Sequence, residues 1–322
     1  MGMGSHRHVL EAAAAAHQRG ERAALAIVVD AEGSTYVRPG AMALFGVSTG
    51  QVGWLSGGCL EPEIEARACA AVVQSRIEWM DIDTRDDEDL IAGSALGCRG
   101  RLHLALLPLA ALSGWPALVD AWMHKRGALR LSLSGQGDLQ ATVGELGQAW
   151  RVASAPMQGP GLPEAAWTIE IPPPPALVVF GAGPETPTLL PLLRSLGWRV
   201  TLVERRERWL AHAQYADAGL ATPAGSALVQ PGTAFDAALA MNHNFELDRE
   251  ALLALAASQV PFVGLLGPVR RREDLFRVLP PTAREALLPR LHSPVGLKLG
   301  GQGPEAIALS IAAQLQVHRF PQ

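Results

Sequence analysis

The second half of the chain alternates short apolar runs with longer amphipathic segments. The apolar runs are about five residues long and rich in Val, Leu and Ala, as buried strands are. The segments between them repeat apolar positions every three or four residues, as helices do. This alternation predicts an α/β fold, with a Rossmann-type parallel sheet covered by helices on both faces. The predicted strands are 176–180, 199–203, 235–241 and 261–266, and the predicted helices are 187–196, 248–257, 270–279 and 304–316.

The first half of the chain has a mixed pattern. An alanine-rich amphipathic segment, 9–19, and a second one that begins at Glu61 predict two helices. Short apolar runs lie around them, separated by turns rich in glycine. The order of these elements predicts a mixed α+β domain. The predicted strands are 23–29, 41–45, 52–55, 77–83, 102–107, 129–133 and 139–143, and the second helix spans 61–74.

A run of four prolines, from Pro172 to Pro175, separates the two patterns. Consecutive prolines exclude a helix or a central strand, because they fix φ and lack N–H donors, and they favour extended polyproline II. The stretch before them is also rich in Pro and Gly. We therefore predict an N-terminal domain over residues 1–154, a linker over 155–175 and a C-terminal domain over 176–322.

The composition is that of a globular protein, with 48% hydrophobic and 18% charged residues among 322. The formal net charge is −4, so the chain lacks the basic surface that nucleic-acid binding requires. The longest apolar stretch, 102–122, is interrupted by polar residues and prolines and falls short of a membrane span. With three cysteines, no C-x-x-C pair and no apolar leader, the sequence predicts a cytoplasmic protein without a disulfide framework or structural zinc.

A glycine-rich turn follows the first strand of the C-terminal domain. Gly181 permits a tight turn, and Gly183 would let a phosphate approach the backbone at a helix N-terminus. Glu204, at the end of the next strand, is where an acid would bind ribose hydroxyls. Against a dinucleotide, Thr186 replaces the third glycine and Glu185 places a carboxylate near the pyrophosphate position. Two interpretations stay open: a dinucleotide site, or a Rossmann-type fold whose glycines serve close packing.

A second glycine-rich turn, Ser56-Gly57-Gly58-Cys59, leads into the helix that begins at Glu61. Small residues before a helix expose backbone N–H groups, which suit an anion. Cys59 lies at the helix N-terminus, where the helix dipole favours a thiolate. The alternative is a small buried cysteine in a tight turn.

Several other residues lie beside these turns or resemble them. Cys98 lies in another glycine-flanked loop, so the two cysteine loops could share one site. His243 and Asn244 follow an apolar strand at its carboxyl end, the edge where open α/β sheets bind ligands. Asp248 has the position of a helix N-cap. Cys69, in the middle of a predicted helix, is explained by packing.

Taken together, several segments resemble the XdhC/CoxI family, whose members are accessory proteins for the maturation of molybdenum hydroxylases. The resemblance extends over most of the chain, and its longest blocks lie near the two ends. The segments that carry it are GST at 33–35, RPGAM at 38–42, SGGCLE at 56–61, GC at 97–98, FGAG at 180–183, MNHN at 241–244, LD at 247–248, FVGLLG at 262–267, PVGL at 294–297 and PEAIALSI at 304–311.

The resemblance implies a non-catalytic maturation factor rather than an enzyme. Such a protein binds molybdenum cofactor, as molybdopterin or its dinucleotide form, holds it for sulfuration with a cysteine desulfurase, and inserts it into the apo-enzyme of a molybdenum hydroxylase. Homodimerisation is a family-level expectation. Molybdenum is thiophilic, so Cys59 or Cys98 could contact it or relay sulfur. The expected cofactor-binding residues are Ser56, Gly57, Gly58, Cys59, Glu61, Cys98, Gly181, Gly183, Glu204, His243 and Asn244.

A rival hypothesis comes from a different class of protein, an NAD(P)-dependent oxidoreductase. Gly181, Gly183 and Glu204 would then bind the nicotinamide cofactor, and His243 would act as proton donor. A third hypothesis is a scaffold whose ligand sites have decayed, because the chain departs from the family pattern near the expected sites. The departures are Arg99, Pro184, Glu204, Asn242 and Lys298.

Overall fold

A computed structural model describes residues 6–83, 100–157, 166–229 and 234–321. The chain divides into two compact units, Met1–Pro173 and Pro174–Gln322, and the division falls within the proline run. Each unit has its own buried apolar core. Within the described residues, no helix is both long and apolar enough to cross a membrane.

The first unit contains a largely antiparallel sheet of six strands, counted over its described residues, with helices on both faces. Short turns let successive apolar runs pair with each other in antiparallel fashion. The strands, in their order across the sheet, are β3 (Gly50–Val52), β2 (Met42–Gly46), β1 (Ala23–Gly33), β5 (Gly100–Pro108), β4 (Arg76–Asp83) and β9 (Ala153–Ser154), and the helices are α1 (His6–Gln18), α2 (Glu61–Gln74) and α3 (Trp115–Met123).

Strand β1 shows why this unit is buried on both sides of the sheet. Leu25 and Ile27 belong to the core that contains α1 and α3. Ala24 and Ala26 belong to the other core, which contains α2. Successive side chains of a strand point to opposite faces, so a strand covered on both faces is apolar throughout. Residues 23–29 therefore lack the polar alternation of a half-exposed strand.

A second antiparallel sheet of the first unit has four strands among the described residues. Alternate residues of its central strands are buried, so one face packs on the core and the other faces solvent. The linker prediction for 155–175 is wrong in part, because residues within it form the edge strand of this sheet. The indole N–H of Trp122 donates to the carbonyl oxygens of Ile171 (3.1 Å) and Pro172 (3.0 Å) and fixes the end of that strand. The strands, in their order across the sheet, are β10 (Ala166–Ile171), β6 (Leu129–Ser134), β7 (Asp138–Val143) and β8 (Leu146–Arg151).

Two other details differ from the predicted elements of the first unit. The strand predicted at 52–55 is instead the three-residue β3, because the chain turns at Gly53, whose φ is +91°. The apolar stretch 102–122 predicts only a strand, but it also contains α3. The strands β8, β9 and β10 are likewise additional to the predicted ones.

The second unit confirms the predicted Rossmann-type fold. Its strands form a parallel sheet in which the first strand of the unit lies between the second and the fourth, the order of dinucleotide-binding folds. The strands, in their order across the sheet, are β13 (Ala218–Leu220), β12 (Arg199–Val203), β11 (Ala176–Phe180), β14 (Ala237–Ala240), β15 (Val263–Leu265) and β16 (Leu291–His292), and the helices are α4 (Thr186–Ser195), α5 (Ala224–Leu228), α6 (Phe245–Ala256), α7 (Val269–Val278), α8 (Pro281–Leu287) and α9 (Pro304–Arg319).

Helices cover both faces of this parallel sheet. Val178 and Phe180 of β11 belong to the core formed with α6, α7 and α8. Leu177 and Val179, the alternate residues, belong to the core formed with α4 and α9. The carboxyl ends of all these strands meet at one edge, which is where the candidate residues of this unit lie.

Candidate functional site

The glycine-rich turn of the first unit folds around a buried carboxylate. Glu61, the first residue of α2, is 5% exposed. Its carboxylate accepts hydrogen bonds from the backbone N–H groups of Leu55 (3.1 Å) and Ser56 (2.9 Å), and the Ser56 hydroxyl donates to it as well. Burial raises the pKa of the Glu61 carboxyl, but these hydrogen bonds outweigh burial and hold its pKa below the usual range.

Ser56 fixes the rest of this turn. Its hydroxyl oxygen accepts hydrogen bonds from the backbone N–H groups of Gly58 (3.1 Å) and Leu60 (3.2 Å), the residue at the N-cap of α2. The Cys59 Sγ lies 3.7 Å from the same oxygen. Cys59 is exposed to solvent, as are Gly57 and Gly58. The alternative of a buried cysteine in the turn is therefore wrong.

The turn uses its own polar side chains where an external anion is expected. The backbone N–H groups of Leu55, Ser56, Gly58 and Leu60 are all bound within the protein. The outward face carries the Cys59 thiol and the indole of Trp54, which is 61% exposed and packs beside Gly58. In this conformation the turn presents the Cys59 thiol, and four of its backbone N–H donors are bound internally.

The other cysteines differ from Cys59. Cys98 lies outside the described residues, so the site shared by the two cysteine loops stays a prediction. The strand that follows it, β5, begins at Gly100, which pairs with Gly33 of β1. Cys69 is exposed on α2, so the packing explanation for it is wrong. In the part of the chain that the structure describes, no three or more His, Cys, Asp or Glu side chains are grouped as metal ligands.

In the second unit, the glycine turn packs against the loop that follows β14. Gly181 has φ +91°, and a Cβ atom on it would lie 2.3 Å from the Cα and 2.5 Å from the Oδ1 of Asn242. A Cβ atom on Gly183 would lie 2.7 Å from the Nε2 of His243. Both glycines are therefore required where one backbone passes close to another loop, which supports the packing interpretation of the motif.

The acid at the end of β12 is engaged within the protein. Glu204 is 4% exposed, and its carboxylate accepts from the N–H of Ala182 at 2.7 Å. The guanidinium of Arg206 donates to both carboxylate oxygens, at 2.9 and 2.6 Å, and also to the carbonyl oxygens of Ala182 and Asn242. Burial raises the pKa of Glu204, but Arg206 and the backbone donors lower it more, so that it lies below the usual range. The carboxylate oxygens of Glu204, which would bind the hydroxyls of a ribose, already accept hydrogen bonds from the protein.

A second carboxylate lies at the start of α4. Glu185 is 2% exposed, and its Oε1 is 2.9 Å from the Nε2 of His243. The hydrogen bond to Glu185 raises the pKa of His243 although partial burial opposes it. The N–H of Gly183 donates to the Thr186 hydroxyl at 2.8 Å, so the N–H groups of both Ala182 and Gly183 are bound internally. The place where a pyrophosphate would approach is taken by protein groups.

The space beside this turn is small. At the carboxyl ends of β11, β12 and β14, the chain lines a cavity of about 20 Å³. One water molecule needs about 10 to 15 Å³, so a nucleotide base does not fit. The cavity lining includes Arg205 and Glu250, which form an ion pair at 2.5 Å. This cavity, at the sheet edge where such folds bind ligands, is therefore too small for a nucleotide in this conformation.

Asn244 and Asp248 both make hydrogen bonds within the protein. Asn244 caps α6, because its side-chain oxygen accepts from the N–H of Leu247 at 3.0 Å. The N-cap prediction for Asp248 is wrong: this residue is fully buried and accepts from the backbone and side-chain N–H groups of Asn242, at 2.9 and 3.0 Å. Arg271 binds its other oxygen at 2.5 Å. Arg271 belongs to a run of three arginines, a pattern that indicates a solvated helix face and gives no sign of this ion pair.

A larger opening lies at the carboxyl ends of β15 and β16. Its volume is about 530 Å³, which is within the range of small-molecule sites. The turn after β15, the loop after β16 and the first two turns of α9 line it, and its described lining includes none of the predicted site residues. A signal was present in the sequence, because residues 294–311 carry part of the family resemblance and include four glycines. We call this opening the α9 cleft.

Two family models match the chain. The model of the XdhC Rossmann domain matches residues 177–315, and the model of the XdhC and CoxI family matches residues 16–81. Together they cover more than half of the chain and both of its units. The first match includes the glycine turn at Gly181 and the α9 cleft, and the second includes the turn that carries Cys59.

Known proteins agree with these matches over nearly the full length. The chain is 27% identical to a probable subunit of xanthine dehydrogenase from Bacillus subtilis, and the alignment covers 92% of each sequence. It also superposes on the crystal structure of a xanthine dehydrogenase from Bacillus halodurans with a TM-score of 0.76 and 26% identity, covering 98% of this chain and 97% of the other. From the two matched domains and these relatives, we conclude that the chain belongs to the XdhC/CoxI family.

Proposed function

We propose that this protein is a carrier of molybdenum cofactor, which it holds for sulfuration and delivers to a molybdenum hydroxylase of the xanthine dehydrogenase type. Family membership and full-length similarity to relatives with the xanthine dehydrogenase name support the proposal. The cofactor is the cargo of this protein and not its own prosthetic group. The apo-hydroxylase and a cysteine desulfurase are then its two protein partners.

The observation that carries the proposal is the exposed thiol of Cys59 on a turn that the protein itself holds in place. Ser56 and Glu61 fix the turn through the hydrogen bonds described above, so the thiol is presented without a change of the backbone. Thiolates are preferred ligands of soft metal centres. We therefore expect a contact between this turn and the cargo to include sulfur, because four of the backbone N–H donors of the turn already have internal acceptors.

The same geometry disfavours the rival hypothesis of an NAD(P)-dependent oxidoreductase. Glu204 is held by Arg206, and the pair Glu185–His243 lies against Gly183 where a pyrophosphate would bind. A dinucleotide would have to displace buried, hydrogen-bonded carboxylates. We expect no saturable quenching of protein fluorescence by NADH or NADPH at millimolar concentration.

Anaerobic ultrafiltration with molybdenum cofactor released from a hydroxylase tests the carrier directly. Wild type and Cys59→Ser are compared with Cys69→Ser, a control in which another exposed thiol is removed from the same helix region. We expect wild type and the control to retain about one equivalent of molybdenum and pterin, and Cys59→Ser to bind at least about tenfold more weakly. Retention by all three proteins would remove the thiol from the mechanism, and no retention by any would reject the carrier.

Delivery and sulfuration need a second assay. An apo-hydroxylase is incubated with cofactor, with and without this protein and a cysteine desulfurase, and its turnover is measured. We expect full activity only when both proteins are present, and a lower yield with Cys59→Ser or Cys98→Ala than with wild type. Equal activation without this protein would contradict a role in delivery. Sedimentation velocity on the same samples tests the expected homodimer.

A further inference from the structure

The α9 cleft has the size and the position of a ligand site that the glycine motifs do not describe. It opens at the carboxyl ends of β15 and β16, the edge where parallel sheets bind ligands. Its walls are largely apolar: Leu266 and Val295 come from the two strand ends, and Leu299 and Ile307 from the loop and helix beyond them. Leu299 is 53% exposed and Ile307 39% exposed, so these walls are open to solvent.

The charge of the cleft favours an anion. Lys298 is the one charged side chain among the described residues that line it, and no carboxylate is among them. The nearest acid of α9, Glu305, points toward Gly303 at the rim. Arg271 packs against Gly267 at the opposite wall, but its charge is compensated by buried Asp248.

The start of α9 contributes backbone N–H donors to the cleft, and Glu305 in its first turn offsets part of their positive character. The helix has 16 residues, and no side chain caps its N-terminus, where Gly303 lies. The first N–H groups of a helix lack intrahelical acceptors and favour negative charge. In the two glycine turns described above, Glu61 and Glu204 bind backbone N–H groups of the turn that precedes a helix. Among its described lining residues, the α9 cleft has no equivalent carboxylate.

We propose that the α9 cleft binds an organic phosphate of the size of a pterin phosphate, with the phosphate between Lys298 and the start of α9 and the ring system against Leu299 and Ile307. The choice of a pterin rests on the proposed carrier function, because the cargo named there joins a fused ring to a phosphate. This inference goes further than that proposal, since it assigns a ligand class to a cleft of the second unit. It also assigns a role to residues that the glycine motifs leave out.

Three variants test this location with released molybdenum cofactor as the probe, under the anaerobic ultrafiltration conditions above. Lys298→Glu reverses the charge at an exposed position, and Ala306→Phe fills the cleft from the first turn of α9. Arg277→Glu is the control, because it makes the same charge change on an exposed side chain outside the cleft. We expect Lys298→Glu to weaken retention at least about tenfold, Ala306→Phe to abolish it, and the control to stay within about twofold of wild type. Thermal unfolding of each variant verifies that it is folded.

A second probe separates failure of this inference from failure of the carrier function. Neopterin phosphate, which contains no metal, is titrated while methyl NMR signals of Leu299 and Ile307 are followed, with dephosphorylated neopterin as the control ligand. We expect shifts with the phosphate ester that are lost in Lys298→Glu. Equal retention of molybdenum cofactor by all variants overturns the location and leaves the carrier function standing. If wild type retains no molybdenum cofactor but neopterin phosphate shifts these signals, the carrier fails and the cleft stands; no binding of either probe overturns both.

Discussion

The two glycine-rich turns, one in each unit, bind their own N–H groups in the same way and differ in what they leave exposed. In the first unit, Glu61 and Ser56 accept hydrogen bonds from backbone N–H groups of the turn, and the Cys59 thiol faces solvent. In the second unit, Glu204 and Arg206 hold the turn, and its outer side is covered by His243 paired with Glu185. The first turn therefore presents an exposed thiol, and the second packs against the loop that follows β14.

This difference shows how one local sequence feature serves two purposes. Small residues before a helix allow close approach of any acceptor to the backbone, whether it is a phosphate or a carboxylate of the protein. An internal carboxylate makes the turn rigid and removes it as an anion site. Whether a ligand can bind is then decided by the buried acids around the turn rather than by the glycines.

The largest expected change in the free energy of unfolding follows from breaking the buried ion pair of the second turn. Glu204→Gln leaves the guanidinium of Arg206 without its counter-charge, and loss of one partner of a buried pair costs about 3 kcal/mol in the free energy of unfolding. Glu207→Gln, at an exposed position three residues later, is the matched control and should change it by less than about 0.5 kcal/mol. Urea titrations measure both, and a Glu204→Gln protein as stable as the control would contradict the role of this pair.

The second-largest change in stability is expected for Gly183→Ala, which tests whether Gly183 is a packing residue. In Gly183→Ala the new methyl group would lie 2.7 Å from His243 and 2.8 Å from Glu185, so the pair must move, at a cost of about 2 kcal/mol. Gly225→Ala is the control, since nothing lies within 4 Å of its new methyl group in α5, and it should be neutral or stabilising. In a His243→Ala background the cost of Gly183→Ala should fall below about 1 kcal/mol. If Gly183→Ala destabilises the protein equally in the His243→Ala background, the new methyl group does not clash with the His243–Glu185 pair.

A smaller effect is expected at the carboxylate of the first turn. Glu61→Gln weakens hydrogen bonds to a charged acceptor and should cost about 1.5 kcal/mol, whereas Glu63→Gln, exposed in the same helical turn, should cost no more than about 0.5 kcal/mol. The pKa of Glu61 is lowered in the folded state, so its contribution is complete above the ordinary glutamate value of about 4.3 and is lost as pH falls below it. The difference between wild type and Glu61→Gln should therefore shrink between pH 5 and pH 3, and a constant difference would contradict this assignment.

The smallest effect concerns the half-exposed pair of His243 and Glu185. Because the folded-state pKa of His243 is raised, the pair contributes fully below the ordinary histidine value of about 6.5, and the contribution is lost as pH rises through the raised value. Half-exposure limits it to less than about 1 kcal/mol. Wild type should lose more thermal stability than His243→Gln between pH 6 and pH 9, and His8→Gln, at an exposed position, should follow wild type. If the thermal stability of wild type and of His243→Gln changes equally with pH, the pairing of His243 with Glu185 is contradicted.

The strands and helices predicted for the second unit lie close to the observed ones, although α5, α8, β13 and β16 are additional to them. In the first unit, α3 and the strands β8, β9 and β10 are additional. The runs 176–180 and 199–203 are strands with the predicted bounds, because a buried parallel strand is apolar along its whole length. The missed helix α3 lies in one long apolar stretch with β5. Its buried residues Trp115, Leu118 and Trp122 do follow helical spacing, but a continuous apolar run conceals that spacing.

By itself, the sequence determined the Rossmann-type unit and the positions of both glycine turns, because strand length, helical spacing and glycine placement are local properties of the chain. Its motifs also carried the resemblance to the family. Only the tertiary structure decided which turn is open. Glu61 is close to its turn in sequence, but His243 reaches Glu185 across 58 positions, and the α9 cleft forms only when three separate segments converge on one sheet edge. Contacts of that kind depend on how strands are ordered across the sheet, which no local pattern specifies.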